Sequence, residues 1–516
     1  MSINNEVNTK SKRIAKNTFF LYFRQLLTML VAIYTSRIIL QALGVVDYGV
    51  YNVVGGMVAM FSFLNSSLAQ ATQRFIAYGI EKDNVDEQRK TFSMLLNVHI
   101  LIALLLFVLC ETIGIWLFYN KLIIPDARLT SAFWVMQCSI CTLMISVTQV
   151  PYNASIFGHE HMNAYAYISI IEVFLKLGIV ILLKYYFTDK LLSYGIMVMC
   201  VQFIIAMTYR IYCLRKFQNC NYHFYWSKKL FKKIFGFSSW SLIGNLAFTL
   251  NNQGMNFLIN IFFGPIYNAA KGIASSVEAA VSSFVTNFLG ASIPQIIKSY
   301  AAGDLDYCFK LNYKSSKLGF FLFMMISLPL ISIINPILSL WLVKVPTQAG
   351  IFCVLSLLYI QANTMSGTIQ NVVQATGTIK KFQLFNGVFK LFPVPIVYIL
   401  YKMGYHINIY LYVLISFSVL GLFIQLYAAN KIVKEYKISI FLKEVTLKEL
   451  TTFIIPLILS LLCYFKNLYT FASAVFVCFG IFIICICCIW FIGLTKNEKN
   501  WIRTNIIAKF VKNNNT

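Results

Sequence analysis

Two stretches of this chain, Ser316 to Leu342 and Phe471 to Leu494, run for more than twenty residues with almost no charge. A soluble core helix buries one face and has no use for such runs. Roughly 20 apolar residues at about 1.5 Å per residue span the hydrocarbon of a bilayer. Segments of this kind can be read at 18–43, 48–73, 92–118, 130–156, 164–185, 191–213, 234–263, 267–297, 318–342, 349–373, 382–401, 408–430, 451–465 and 470–494. The expected fold is therefore an all-α polytopic membrane protein with 14 transmembrane helices. The outer gaps between them are short and leave no room for a soluble catalytic domain, so no enzymatic activity is expected.

The net charge of +25 would point to nucleic acid on a soluble chain. Here the 43 Lys and Arg residues report orientation instead, because cations near span ends resist translocation. Thirty of them lie in the tails and in alternate gaps: Lys10 to Lys16, Lys82 to Lys90, Arg210 to Lys233, Lys298 to Lys317, Lys380 and Lys381, Lys431 to Lys448, and Lys496 to Lys512. Seven lie in the opposite gaps: Lys121, Arg128, Lys184, Lys190, Lys344, Lys402 and Lys466. Both termini are expected in the cytoplasm, with the first span as an uncleaved anchor. Nucleic acid is not an expected partner.

Matches at a nearly constant offset indicate an internal repeat. Leu43-Gly44-Val45-Val46 corresponds to Phe263-Gly264-Pro265-Ile266, Gln73 to Tyr78 to Gln295 to Tyr300, and Gln149 with Asn153-Ala154-Ser155 to Gln370 with Gln374-Ala375-Thr376. Spans 1 to 6 and 7 to 12 then form two six-helix lobes related by an axis along the membrane normal, because an even unit re-enters from the same side. The expected organisation is a cytoplasmic tail 1–17, an N-lobe 18–213, a basic cytoplasmic linker 214–233, a C-lobe 234–430, a cytoplasmic loop with helices 13 and 14 over 431–494, and a cytoplasmic tail 495–516.

Helices that meet only lipid and apolar neighbours have no reason for long polar stripes. At 100° per residue, span 7 gathers Ser238, Ser241, Asn245, Thr249, Asn252, Asn256 and Asn260 on one face. Span 8 gathers Asn268, Lys271, Ser275, Glu278, Ser282 and Thr286; span 2 gathers Asn52, Gly56, Ser66, Gln70 and Arg74; span 1 gathers Asn17, Arg24, Thr28 and Thr35. Amides and hydroxyls both donate and accept, which suits sugar hydroxyls or a hydrated path. Isolated residues of this kind also glue helices together, but seven on one face favour a cavity.

Six cations fall within spans: Arg24, Arg37, Arg74, Lys176, Lys271 and Lys390. Arg24 lies on the span 1 stripe, and Arg37, 13 residues on, points about 220° away. Glu172 and Lys176, spaced i, i+4, are expected to pair with each other. His159 and His161 sit in a cytoplasmic turn without further ligands, and most of the cysteines lie in spans as packing residues. No metal, cofactor or catalytic group is expected.

The run Ser36-Arg37-Ile38-Ile39-Leu40-Gln41-Ala42-Leu43-Gly44-Val45-Val46-Asp47-Tyr48-Gly49-Val50-Tyr51-Asn52, with the polar second span and Thr72-Gln73-Arg74, resembles the amino end of bacterial polysaccharide flippases of the MOP exporter superfamily. That resemblance implies a MATE-like, V-shaped alternating-access transporter with a cavity lined by spans 1, 2, 7 and 8. It also implies a cargo, an undecaprenyl pyrophosphate-linked oligosaccharide, and an inner-membrane location. Arg24 and Lys271 would meet the pyrophosphate, with Arg74 at the cytoplasmic mouth; Asn52, Gln70, Asn245, Thr249, Asn252 and Asn256 would line the sugar path; Glu278 is the carboxylate for proton or sodium coupling. Membrane lipids and polysaccharide polymerase or chain-length proteins are the implied partners of a monomer. The rival cargoes are a lipid-linked peptidoglycan precursor and a drug or cation. A cation antiporter is expected to place a carboxylate deep in span 1 or 7, and neither span contains Asp or Glu.

Overall fold

The computed structural model describes the backbone of residues 2–82, 84–159, 161–186, 188–290, 292–376, 380–466 and 471–502, and their side chains apart from 2–27, 237–243 and isolated positions that include Ser66 and Gln70. The described residues are helical, with no strand among them. They divide into two compact units: Met1–Ser276 with Leu342–Thr347 and Lys390–Ile407, and Val277–Trp341 with Gln348–Phe389 and Asn408–Thr516.

In the first unit the longest helix, α1 (Ser2–Ala59), is two helices joined at one residue: Gly44 has φ 78° and ψ 171°. This region of backbone space is open essentially to glycine alone. The chain continues through α2 (Phe63–Lys82), α3 (Val85–Leu109), α4 (Leu129–Gly158), α5 (Met162–Tyr186) and α6 (Lys190–Lys216). Asn84 caps α3 by accepting from the Glu87 N–H at 2.9 Å, and Asp189 caps α6 through Leu192. α4 packs along α6, α1, α2 and α3. The approach to α6 is close because Gly195 faces Val135, where a Cβ would come within 3.0 Å.

Helix α7 (Lys228–Thr249) runs on through a π turn, Leu250–Gly254, into Met255–Phe263. Gly264, with φ 86° and ψ 178°, then breaks the rod before α8 (Pro265–Gly290). Gly44 and Gly264 are the two glycines matched by the sequence repeat, and they share one glycine-only conformation. Proline at the first position of α8 suits the restart, since its missing N–H is an orphan there in any case.

The second unit takes the end of α8 and adds α9 (Ile293–Ala301), α10 (Leu305–Ser332), α11 (Ala349–Thr364) and α12 (Lys380–Leu391, up to Phe389). Helix α13 (Pro393–Lys402) belongs to the first unit, while α14 (Ile409–Ile432), α15 (Leu447–Lys466) and α16 (Phe471–Cys488) complete the second. α10 is its axis, with α11, α15 and α16 packed around it. The most apolar stretch of α10 is 72% buried, against 11% for Ser473–Gly493, so the last span presents its apolar residues to lipid.

Ten described helical stretches are long and apolar enough to cross a bilayer, or eleven if the bent pair Ala349–Thr364 and Ile369–Ala375 counts as one. The sequence reading of fourteen differs at three places. Predicted span 2 lies within the stretch Tyr34–Ile80, which takes in only the end of predicted span 1 before it runs through Gly44, the rest of span 1 lying mostly among residues whose side chains are not described; predicted spans 7 and 8 fold as α7 and α8 but are too polar to count as apolar crossings.

Candidate translocation site

Within the first unit the polar residues of α1, α2, α7 and α8 converge on a seam whose closest approaches are made by glycine. A Cβ on Gly49 would lie 1.9 Å from the Pro265 carbonyl oxygen, one on Gly56 2.6 Å from Gln253 Oε1, and one on Gly272 2.9 Å from Asn52 Nδ2. Small residues let polar helices approach closely enough for amides to reach across.

The amides then bond to one another. Asn52 Nδ2 donates to the Tyr48 carbonyl at 2.8 Å, and the Asn52 carbonyl accepts from Asn256 Nδ2 at 2.9 Å. Asn256 in turn accepts from Asn268 Nδ2 at both its carbonyl and its Oδ1, at 2.6 and 2.7 Å. Asn260 clamps the backbone of Ile123, accepting its N–H at 2.8 Å and donating to its carbonyl at 3.2 Å. Asn256, Asn260 and Asn268 are all buried.

The π turn separates this buried part from an open one. One extra residue in the turn displaces the following side chains by about 100°, so the seven-residue stripe of span 7 is not continuous. Asn245 and Thr249 are half-buried before the turn, Asn252 is exposed on it, and Asn256 and Asn260 are buried after it. Asn245 Nδ2 donates to Ser67 Oγ on α2 at 2.8 Å. Lys271 Nζ donates to the Asn252 carbonyl at 2.5 Å, and Asn251 Nδ2 donates to the carbonyl of Lys390. A cation and an exposed amide are thus held together at the turn, beside a buried lattice of asparagines.

The other expected site residues divide as follows. Arg74 is exposed on α2. The side chains of Arg24 and Gln70 lie outside the described residues. Glu278 is half-buried in the second unit, close enough to Tyr359 to act on it electrostatically. Glu172 and Lys176 pair at 2.5 Å, as their spacing predicts. His159 stacks on Phe217 with ring centroids 4.0 Å apart, and His161 meets the Tyr212 hydroxyl at 2.8 Å.

Sequence reasoning missed Asn251, Gln253 and Ser67 as contact residues, and it missed the ion pair between Arg128 Nε and the buried Asp47 at 3.0 Å. The available signal was the spacing of Gly49, Gly56 and Gly272, which marks close helix approach but does not name the facing residue.

Several solved structures share this fold. A multidrug resistance MATE family transporter of the MOP superfamily, inward-facing, aligns with a TM-score of 0.63 at 12% identity over 81% of this chain and 96% of its own. The lipid II flippase MurJ, in an inward closed conformation, aligns with a TM-score of 0.63 at 13% identity over 92% and 99%. A MOP superfamily transporter from Pyrococcus furiosus, described as having a binding pocket of reverse polarity, aligns at 0.58 with 12% identity over 83% and 96%. Fold and apolar helices together define a multi-pass membrane protein of the MATE and MurJ architecture. Residues 14–299, more than half of the chain, match the model of the polysaccharide biosynthesis protein family, and the chain belongs to that family of MOP-type flippases. Among curated proteins no sequence matches it.

Proposed function

We propose that this protein carries an undecaprenyl pyrophosphate-linked oligosaccharide from the cytoplasmic to the periplasmic leaflet of a bacterial inner membrane, for O-antigen, capsule or exopolysaccharide synthesis. The observation that carries the reading is the pairing of Lys271 with the exposed Asn252 at the π turn. An ammonium anchored to a backbone carbonyl at the turn sets a cation beside an exposed amide, the pair of groups that a phosphate oxygen and a sugar hydroxyl would meet. A pyrophosphate cannot enter hydrocarbon without such partners, because its desolvation cost is prohibitive. Sugar hydroxyls both donate and accept, and Asn52, Gln70, Asn245, Thr249 and Asn252 offer the same pattern, while the buried Asn256 is engaged with Asn52 and Asn268. Membership of a polysaccharide biosynthesis family supports this cargo class.

In this account two six-helix lobes, with both termini cytoplasmic, alternate access to the cavity while the lipid tail stays in the bilayer. Arg24 joins Lys271 on the pyrophosphate, Arg74 guides it at the inner mouth, and Glu278 couples the cycle to protons or sodium. Polymerase and chain-length proteins take the product on the outer side. Purified protein in liposomes is expected to make a fluorescent pyrophosphate-linked oligosaccharide accessible to a quencher outside. Lys271→Ala and Arg24→Ala should each slow this by about tenfold or more, the loss of one charge-assisted contact worth roughly 1.5–3 kcal/mol. Full transport by both variants at normal reconstitution would refute the assignment.

A further inference from the structure

In the second unit a buried ion pair lies within electrostatic reach of a buried carboxyl that has no hydrogen-bond partner. Lys317 on α10 is only 4% exposed, and its ammonium donates to both carboxylate oxygens of Glu498, at 2.8 and 2.7 Å. Glu498 lies on the short helix Lys496–Ile502. Its carboxylate also accepts from the Thr495 N–H at 2.8 Å, while Thr495 Oγ1 accepts from the Glu498 N–H at 3.4 Å. This is a capping box closed around an ion pair. Glu449, on α15, is fully buried, and neither of its carboxylate oxygens has a hydrogen-bond partner. Lys317 is the charge that acts on it.

The neighbouring elements offer little else. Residues 471–493 contain no Asp, Glu, Lys or Arg. Lys443 and Glu444 on the turn before α15, and Lys310 and Lys314 on α10, are exposed, and Lys448 is half-exposed. Thr446 Oγ1, one turn before Glu449, and Ser316 Oγ, beside Lys317 in sequence, are buried without partners as well.

Fully ionised, the cluster would bury one negative charge more than it balances. A buried carboxylate without hydrogen bonds is costly, and such a group neutralises instead. A metal cation would have to sit against the Lys317 ammonium, whereas a proton cancels the charge without adding a second positive centre. We propose that Glu449, Lys317 and Glu498 form a proton-binding site, in which Glu449 holds the proton while Lys317 is committed to Glu498, and that loss of this proton releases the helix Lys496–Ile502. Once ionised, Glu449 competes for Lys317, and the partner Lys317 gives up is Glu498. The site is separate from Glu278 and does not depend on the cargo.

The test uses the full chain in lipid nanodiscs, with infrared difference spectroscopy of protonated carboxyl groups and hydrogen exchange of residues 495–502 followed from roughly pH 6 to pH 9. The wild type should show a protonated-carboxyl band at neutral pH that vanishes in alkali, with exchange of the helix rising about tenfold in parallel. Glu449→Gln should remove the band and keep the helix protected throughout. Glu498→Gln leaves Lys317 to Glu449, so the wild type minus Glu498→Gln difference should show the same band independently. A neutral-pH band that persists in Glu449→Gln, or alkaline release that persists in that variant, would overturn the proposal.

Discussion

Gly49 and Gly55 lie six residues apart on the same helix and should respond oppositely to the same substitution. A Cβ on Gly49 would stand 1.9 Å from a backbone oxygen, which cannot move without moving α8, whereas nothing lies within 4 Å of Gly55. Gly49→Ala is therefore expected to destabilise by about 1–3 kcal/mol, as overpacking does. Gly55→Ala should be neutral or stabilising by up to about 1 kcal/mol, since alanine gives up less freedom in a helix. Thermal unfolding in detergent reads both, and equal losses would contradict the seam. At this scale the sequence made the polar residues legible: Asn52, Asn256 and Lys271 all stood out as amides or cations on apolar helices. It did not reveal their partners, because the π turn at Leu250–Gly254 rotates everything after it and nothing in the residue types announces an inserted residue. Lys176 was legible because its partner lies on its own helix.

Among the elements, the two glycine breaks carry the clearest link from sequence to shape. Leu43-Gly44 and Phe263-Gly264 stood out as a repeat, and both glycines adopt φ near +80° with an extended ψ. Alanine at either position is expected to cost about 1–3 kcal/mol, and a melting temperature unchanged by Gly264→Ala would contradict the break. Spans 7 and 8 were legible as helices through their stripes, although the same polarity keeps them out of the purely apolar set. The short C-terminal helix was not legible, because its anchor Lys317 is 181 residues away in sequence. Burial alone would raise the Glu498 carboxyl, but the Lys317 ammonium and the Thr495 N–H outweigh it and hold that carboxyl below the ordinary glutamate range. The stabilisation is thus present above about pH 4.3, the ordinary glutamate value, and is lost as pH falls through the lower value of the folded protein. Hydrogen exchange of 495–502 should rise on acidification below about pH 4 in the wild type and be high at every pH in Glu498→Gln. A helix equally protected at all pH values would contradict the pair.

For the whole molecule, the basic excess and the apolar runs were enough to read a polytopic membrane protein, and the family match and shared folds agree with that reading. What composition could not supply is the cargo, because amides and ammonium groups serve several polar headgroups equally. The most direct measurement places the wild-type protein in liposomes and compares three cargoes side by side: an undecaprenyl pyrophosphate-linked oligosaccharide, a lipid-linked peptidoglycan precursor, and a lipophilic cationic dye. The account predicts that the first crosses, that Lys271→Ala slows it about tenfold or more, and that the dye is not moved. Rapid movement of the dye or of the peptidoglycan precursor, with the oligosaccharide left in its original leaflet, would contradict it.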